Sequence, residues 1–149
     1  MAAVVVVPDA SVLLKWVLRS QDEEVSEPSL ALRDAWLDDA VEIVVPALWT
    51  FEVGNVLGLK QPARADELLD AMVELSLPEA PAAPYAARIF DLMRRHGATF
   101  YDAAYHGLAI ERGGVMVTAD RRYIAKCGRA GHVEYIGDWR SAGGSVSGS

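Results

Sequence analysis

Four acids, Asp9, Glu52, Asp102 and Asp120, follow or interrupt apolar segments in a pattern that a single chemistry would explain. Each also has a local explanation. Asp9 ends the run Val4-Val5-Val6-Val7-Pro8 and would shape the turn into a helix, while Glu52, between Phe51 and Val53, would be a salt-bridged surface acid. Thr99 followed three residues later by Asp102 resembles a capping box with Asp in place of Glu, so capping alone could account for that acid. The four together share none of these explanations. Carboxylates gathered within a few ångströms repel, and desolvation worsens the cost, so an empty cluster holds protons or stays wet. A hard divalent cation removes that penalty. Magnesium takes oxygen ligands in an octahedron, one or two of them carboxylate, and keeps waters that leave places for a phosphate oxygen and an attacking water. Manganese suits the same ligands. Zinc does not, because the single cysteine, Cys127, and the three histidines show no ligand spacing. Such a site suits phosphodiester hydrolysis, in which the ion lowers the pKa of a bound water and polarises the phosphate. A second ion about 4 Å away would stabilise the departing 3′ oxygen. No Ser-His-Asp order or activated thiol points to a covalent step.

The elements that must position these acids follow from hydrophobic pattern. Val4 to Val7 are uniformly β-branched, which predicts a strand covered on both faces and central in a parallel sheet. Asp9 then sits at its carboxyl end, where the loops of an open α/β sheet converge around a crevice. Val41 to Pro46 repeats the motif as a second strand, and Pro46 leads into a helix from Leu48 to Leu59. Glu52 lies in its N-terminal half, where helix polarity favours an anion, and Asn55 can share its face. Leu75 to Pro78 reads as a short third strand, Val115 to Asp120 as a fourth and Val133 to Ile136 as a last, more exposed one. Between them the apolar spacing predicts a helix after Ser11, which can cap it. A second helical pattern covers Leu30 to Leu37, after a polar interruption at Asp22-Glu23-Glu24 and the Glu27-Pro28 step. Others follow after Pro62, from Tyr85 to His96, from Thr99 to about Glu111, and a short one from Arg121 to Lys126. With right-handed crossovers all four acids reach one side of the sheet. Ser11, Asn55 and Thr118 are the supporting polar residues, Thr118 as a hydrogen-bond donor to a ligand carboxylate or metal water. His106 reads as a packed or capping histidine.

The chain of 149 residues fits one domain over 1–140, with a Gly/Ser stretch at 141–149 that builds no core and is expected to be flexible. One cysteine allows no intrachain disulfide. No apolar run approaches the roughly 18 residues that span a bilayer, so the expectation is a soluble, cytoplasmic protein with no membrane contact. A net charge of −7 argues against holding nucleic acid chiefly by charge attraction. The charge is uneven, however: Arg88 to Arg129 carries eight basic residues against four acids. Arg94, Arg95, Arg121 and Arg122 are therefore candidate phosphate contacts, registering a backbone more than reading bases.

Four segments in order, Val6-Val7-Pro8-Asp9-Ala10-Ser11-Val12, Pro46 through Glu52-Val53-Gly54-Asn55-Val56-Leu57, Tyr101-Asp102-Ala103-Ala104-Tyr105 and Val117-Thr118-Ala119-Asp120-Arg121-Arg122, resemble the motif series of PIN-domain ribonucleases, in particular the VapC toxins of toxin-antitoxin pairs. The resemblance covers about residues 4–136. It implies a three-layer α/β/α fold around a parallel sheet of about five strands in the order 3-2-1-4-5. It implies Asp9, Glu52 and Asp102 as magnesium ligands, with Asp120 as a fourth acid acting through water or on a second ion. It further implies a homodimer, a small VapB-like antitoxin whose C-terminal segment covers the crevice, and cleavage of structured RNA, commonly transfer or ribosomal RNA. One departure is Pro8, where the family has valine. A response-regulator receiver domain would want a pair of acids after the first strand and a phospho-accepting Asp after the third, where Pro78 stands. A haloacid-dehalogenase-like phosphatase would need an Asp at Ser11. The remaining alternative is a catalytically silent PIN-fold scaffold for binding or dimerisation, with all four acids in a site that no substrate enters.

Overall fold

The valine run forms the central strand of the molecule. In the computed structural model, which describes residues 3–141, β1 (Val4–Pro8) lies between β2 (Val41–Ile43) and β5 (Val115–Thr118), and β6 (Val133–Tyr135) extends the sheet beyond β5. The order is β2-β1-β5-β6 and every pairing is parallel. Successive β1 side chains supply two different cores, as strand alternation requires. Val6 packs with Ile43, Val117 and the apolar residues of α1 (Ala10–Leu13), α2 (Glu23–Leu37), α3 (Trp49–Lys60) and α4 (Ala65–Val73). Val7 packs with Met116 and those of α5 (Ala86–His96), α6 (Phe100–Glu111) and α7 (Arg121–Cys127). The result is a three-layer α/β/α fold. No helix among the described residues is long and apolar enough to cross a membrane. Residues 142–149 of the expected Gly/Ser tail lie outside the described residues.

The single five-stranded sheet expected from the sequence is instead one four-stranded sheet and a separate pair. The apolar run Val41–Pro46 divides at Val44: its first half pairs with β1, and its second half, β3 (Val45–Pro46), turns away to pair in parallel with β4 (Glu79–Ala80). Val45 N donates to Pro78 O at 2.9 Å and Ala47 N to Ala80 O at 3.1 Å. The third strand therefore falls at Glu79–Ala80 and not at Leu75–Pro78. Leu75 and Ser76 instead close α4, donating to Met72 O and Val73 O, with Ser76 in the left-handed region at φ 56°. The second helix also starts earlier than its pattern suggested. Asp22 caps it by accepting from Glu24 N, and the helix carries Pro28 inside it. A proline there removes one donor close to the helix start, and the buried faces of Val25, Pro28 and Leu32 keep the segment docked.

The Pro8 departure costs no ladder bond. Val44 N donates to Val6 O, so the even-numbered residues of β1 face β2, and β2 has already left the ladder by the level of Pro8. On the other side Asp9 N donates to Val117 O at 3.1 Å, which holds the carboxyl end of β1 against β5. Just before β5, Gly114 allows a close backbone approach: a Cβ there would lie 2.2 Å from Val5 O. Gly114→Ala is expected to destabilise the protein by about 3 kcal/mol in urea unfolding, the upper range for overpacking, because the obstacle is backbone and cannot rotate away.

Candidate functional site

Asp9 is the most tightly held of the four acids. It caps α1, its Oδ1 accepting from Val12 N at 3.2 Å and from Ser11 Oγ at 2.5 Å, while Oδ2 accepts from Thr118 Oγ1 at 2.6 Å. The two hydroxyls are themselves anchored to the β5–α7 turn. Ser11 Oγ accepts from Ala119 N at 2.9 Å and Thr118 Oγ1 from Asp120 N at 3.0 Å. Ser11 and Thr118 thus join the carboxyl ends of β1 and β5 through one carboxylate. Burial pushes the Asp9 carboxyl up to about 6, its hydrogen bonds from Ser11, Thr118 and Val12 pull the other way, and the charge of Asp102 adds to the rise.

Asp102 stands in the first turn of α6, where Thr99 caps the helix by accepting from Asp102 N at 3.2 Å. The backbone of Asp102 takes the cap, and its half-buried carboxylate is left over. Burial raises its pKa, the charge of Asp120 raises it further, and the Thr99 hydroxyl and Lys126 act against them. Glu52 lies in the first turn of α3, a helix with no side-chain cap of its own. Its carboxyl is raised by burial and then by Asp102, with Tyr105 offsetting part of the rise. Glu52 Oε1 and Tyr105 Oη are both buried, yet neither makes a well-formed hydrogen bond. Tyr105 is pushed far above the usual phenol range, by burial first and the Glu52 charge second, so its hydroxyl keeps its proton at any physiological pH. Asp120 is exposed and caps α7, accepting from Arg122 N at 2.9 Å and Tyr123 N at 3.3 Å.

Asp102 is therefore the residue through which the four acids act on one another: its charge reaches Asp9 and Glu52, and it feels Asp120. The all-oxygen donor set, the raised carboxyls and the orphaned Glu52 oxygen fit a hard cation in chemical kind. Among the described residues, however, no group of three or more His, Cys, Asp or Glu side chains is spaced closely enough to hold one ion.

The other expected residues separate into two groups. Ser11 and Thr118 both donate to the Asp9 carboxylate, whereas Asn55, one turn beyond Glu52, is exposed. His106 is fully buried. Its Nε2 lies 2.7 Å from Gly131 O, a carbonyl that can only accept, so the proton sits there and Nδ1 accepts from Tyr123 Oη at 2.6 Å. Arg121 does not reach outward for an anion: its guanidinium bonds Glu24 Oε1 at 2.5 Å and lies 3.9 Å from the Tyr135 ring centroid. Arg122 is exposed on α7. Arg94 and Arg95 line a groove of about 780 Å³ along α5, together with Arg88 and Arg129. Tyr105 and Lys126 escaped the sequence reading. The three-residue spacing from Asp102 to Tyr105 on α6 was the available signal for the first, and nothing local marked the second.

The sequence model of the PIN domain matches residues 6–129. No curated protein matches the chain significantly. Among solved structures it is similar to PAE2754 from Pyrobaculum aerophilum, at 26% identity and a TM-score of 0.63 over 88% of this chain and 83% of that one. It is also similar to VapC20 from Mycobacterium tuberculosis, named a sarcin-ricin loop cleaving toxin, at 14% identity and a TM-score of 0.63 over 87% of this chain and 97% of that one. A third similar structure is VapBC2 from Rickettsia felis bound to a DNA fragment from its promoter, at 11% identity and a TM-score of 0.64 over 91% of this chain and 99% of that one. At such identities the last two are likenesses of fold.

Proposed function

The chain belongs to the PIN-domain family, and from that premise we propose that it is a metal-dependent endoribonuclease, the toxin of a toxin-antitoxin pair. The observation that supports this reading is that Asp9, Glu52 and Asp102, from three separate segments, are each raised by burial, the first two also by the charge of Asp102 and Asp102 by that of Asp120. Asp9, Glu52 and Asp102 would hold Mg²⁺, with Mn²⁺ as a substitute, only with their carboxylates drawn closer together than they stand here, and Asp120 would act through water or on a second ion. When bound, the ion supplies a water of lowered pKa and a Lewis acid for the scissile phosphate.

The chain's own residues do the positioning. Ser11 and Thr118 fix both oxygens of Asp9. Glu52 keeps one buried oxygen without a hydrogen-bond partner, and the protonated Tyr105 beside it can only donate or accept a hydrogen bond. Asp120 is oriented by the backbone amides it caps. The expected partners are a second copy of the chain, a small VapB-like antitoxin and an RNA of the transfer or ribosomal class. The VapBC2 assembly supports an antitoxin, and the name of VapC20 supports a ribosomal target. A cytoplasmic setting accords with the free, buried thiol of Cys127.

Incubation of the purified protein with total RNA tests the reading: discrete fragments are expected with Mg²⁺ or Mn²⁺ and none with EDTA. The spacing of the acids favours one second reading, a silent scaffold. Calorimetric Mg²⁺ binding that Asp9→Asn removes, without cleavage of any RNA by the wild type, would establish that scaffold in place of the nuclease.

A further inference from the structure

The negative chain leaves open how a polyanion is held, and the distribution of ion pairs answers it. Arg33, Arg64, Arg88, Arg95 and Arg121 are each paired with an acid, to Asp34, Glu67, Glu111, Asp91 and Glu24. Arg122, Lys126, Arg129 and Arg94 are exposed and form no ion pair among the described residues. Arg122 and Lys126 stand one turn apart on one face of α7, and Arg129 follows in the single turn of 3₁₀ helix, Gly128–Ala130, that continues the chain beyond it. The row begins at the acids. Arg122 follows the capping Asp120 by two residues and donates its backbone amide to that carboxylate, and Lys126 is one turn further along α7. It ends in the α5 groove, which Arg129 and Arg94 both line, and Lys126 Nζ reaches Gly97 O at the end of α5, 3.5 Å away. Within that groove the acids Asp91 and Glu111 are already neutralised by Arg95 and Arg88.

We propose that Arg122, Lys126, Arg129 and Arg94 form a phosphate track that leads the backbone of the RNA substrate from the acid cluster along α7 into the α5 groove. This rests on the ribonuclease reading above and specifies which residues hold the strand. Arg121 lies outside the track, since its guanidinium is taken by Glu24 and Tyr135. Each free cation neutralises one phosphate and releases its counterion, so binding carries a salt dependence set by their number.

The test uses the full chain with Asp102→Asn to keep RNA intact, and fluorescence anisotropy with a labelled mixed-sequence RNA oligonucleotide over a salt series. Adding Lys126→Gln and Arg129→Gln is expected to weaken binding at least about tenfold near 0.1 M salt and to flatten the log–log salt slope by about 1.4. Arg121→Gln is expected to leave the slope unchanged. Lys60→Gln with Arg64→Gln, at the end of α3 and the start of α4, removes the same charge away from the track and is also expected to leave it unchanged. Should circular dichroism show the double variant misfolded, Arg94→Gln, on a different helix, carries the same expectation with about half the slope change. An unaltered slope in the track variants, or equal weakening by the Lys60 and Arg64 pair, would overturn the track while leaving the nuclease intact. Absence of both binding and cleavage in the parent protein would instead remove the ribonuclease reading, and the track with it.

Discussion

Asp9→Asn is expected to abolish RNA cleavage and, in the absence of divalent ions, to make the protein more stable at neutral pH. The buried carboxyl holds its proton to about pH 6, against 3.8 for an unperturbed aspartate. Below the lower value both folded and unfolded chains are protonated there and no penalty exists. As pH rises between the two values the unfolded chain releases its proton first, so stability falls, and above pH 6 the loss is complete. A shift of about two units corresponds to roughly 3 kcal/mol. Asparagine removes this loss and keeps most of the bonds. Its Oδ1 can accept from Ser11 and Val12, and its amide can donate to the Thr118 hydroxyl. Urea unfolding with EDTA at pH 4 and pH 7.5 should therefore show a loss of stability in the wild type that is smaller by roughly 2 kcal/mol in the variant, where the raised Glu52 and Asp102 carboxyls still contribute. A wild-type stability that is flat across this window would contradict the burial argument. Cleavage should fall at least about 10²-fold, the scale of losing one well-placed electrostatic group.

Asp102→Asn should separate chemistry from folding more sharply. The α6 N-terminus is capped by Thr99 through the Asp102 backbone, so the side chain can change without uncapping the helix. Cleavage is expected to drop by about 10²-fold or more, and stability to move by less than about 1 kcal/mol, as for a substitution that touches no packed contact. Removing its charge also removes a contribution that raises both Asp9 and Glu52, so the pH at which the wild type loses stability should move downward in the variant. Collapse of the fold in Asp102→Asn would instead show capping as the residue's main task.

The site was legible where local sequence decides the outcome. A uniformly β-branched run ending in Asp9, a polar Thr118 at the end of another strand and Thr99 before Asp102 all follow from rules that act within a few residues. What escaped depends on partners far along the chain. Val41–Pro46 reads as one strand because both halves are apolar, and only β4 draws the second half away from β1. Leu75–Ser76 has strand-like residues, but its amides are used by the end of α4. Arg121 has the composition of a phosphate contact and is removed from that role by Glu24, 97 residues earlier. Lys126 and Tyr105 became visible only once α6 and α7 were set beside the other acids.

The hydroxyl of Thr118 orients a carboxylate that lies 109 residues before it in the chain. During synthesis from the N-terminus, Asp9 leaves the ribosome long before its supports exist, since β5, Thr118 and the Ala119 amide that anchors Ser11 all emerge late. A ribosome-bound or prematurely truncated chain ending before β5 therefore lacks the alignment of its first acid. Asp9 thus reaches its final orientation only after residues 118 and 119 have been made, more than a hundred residues after the carboxylate itself.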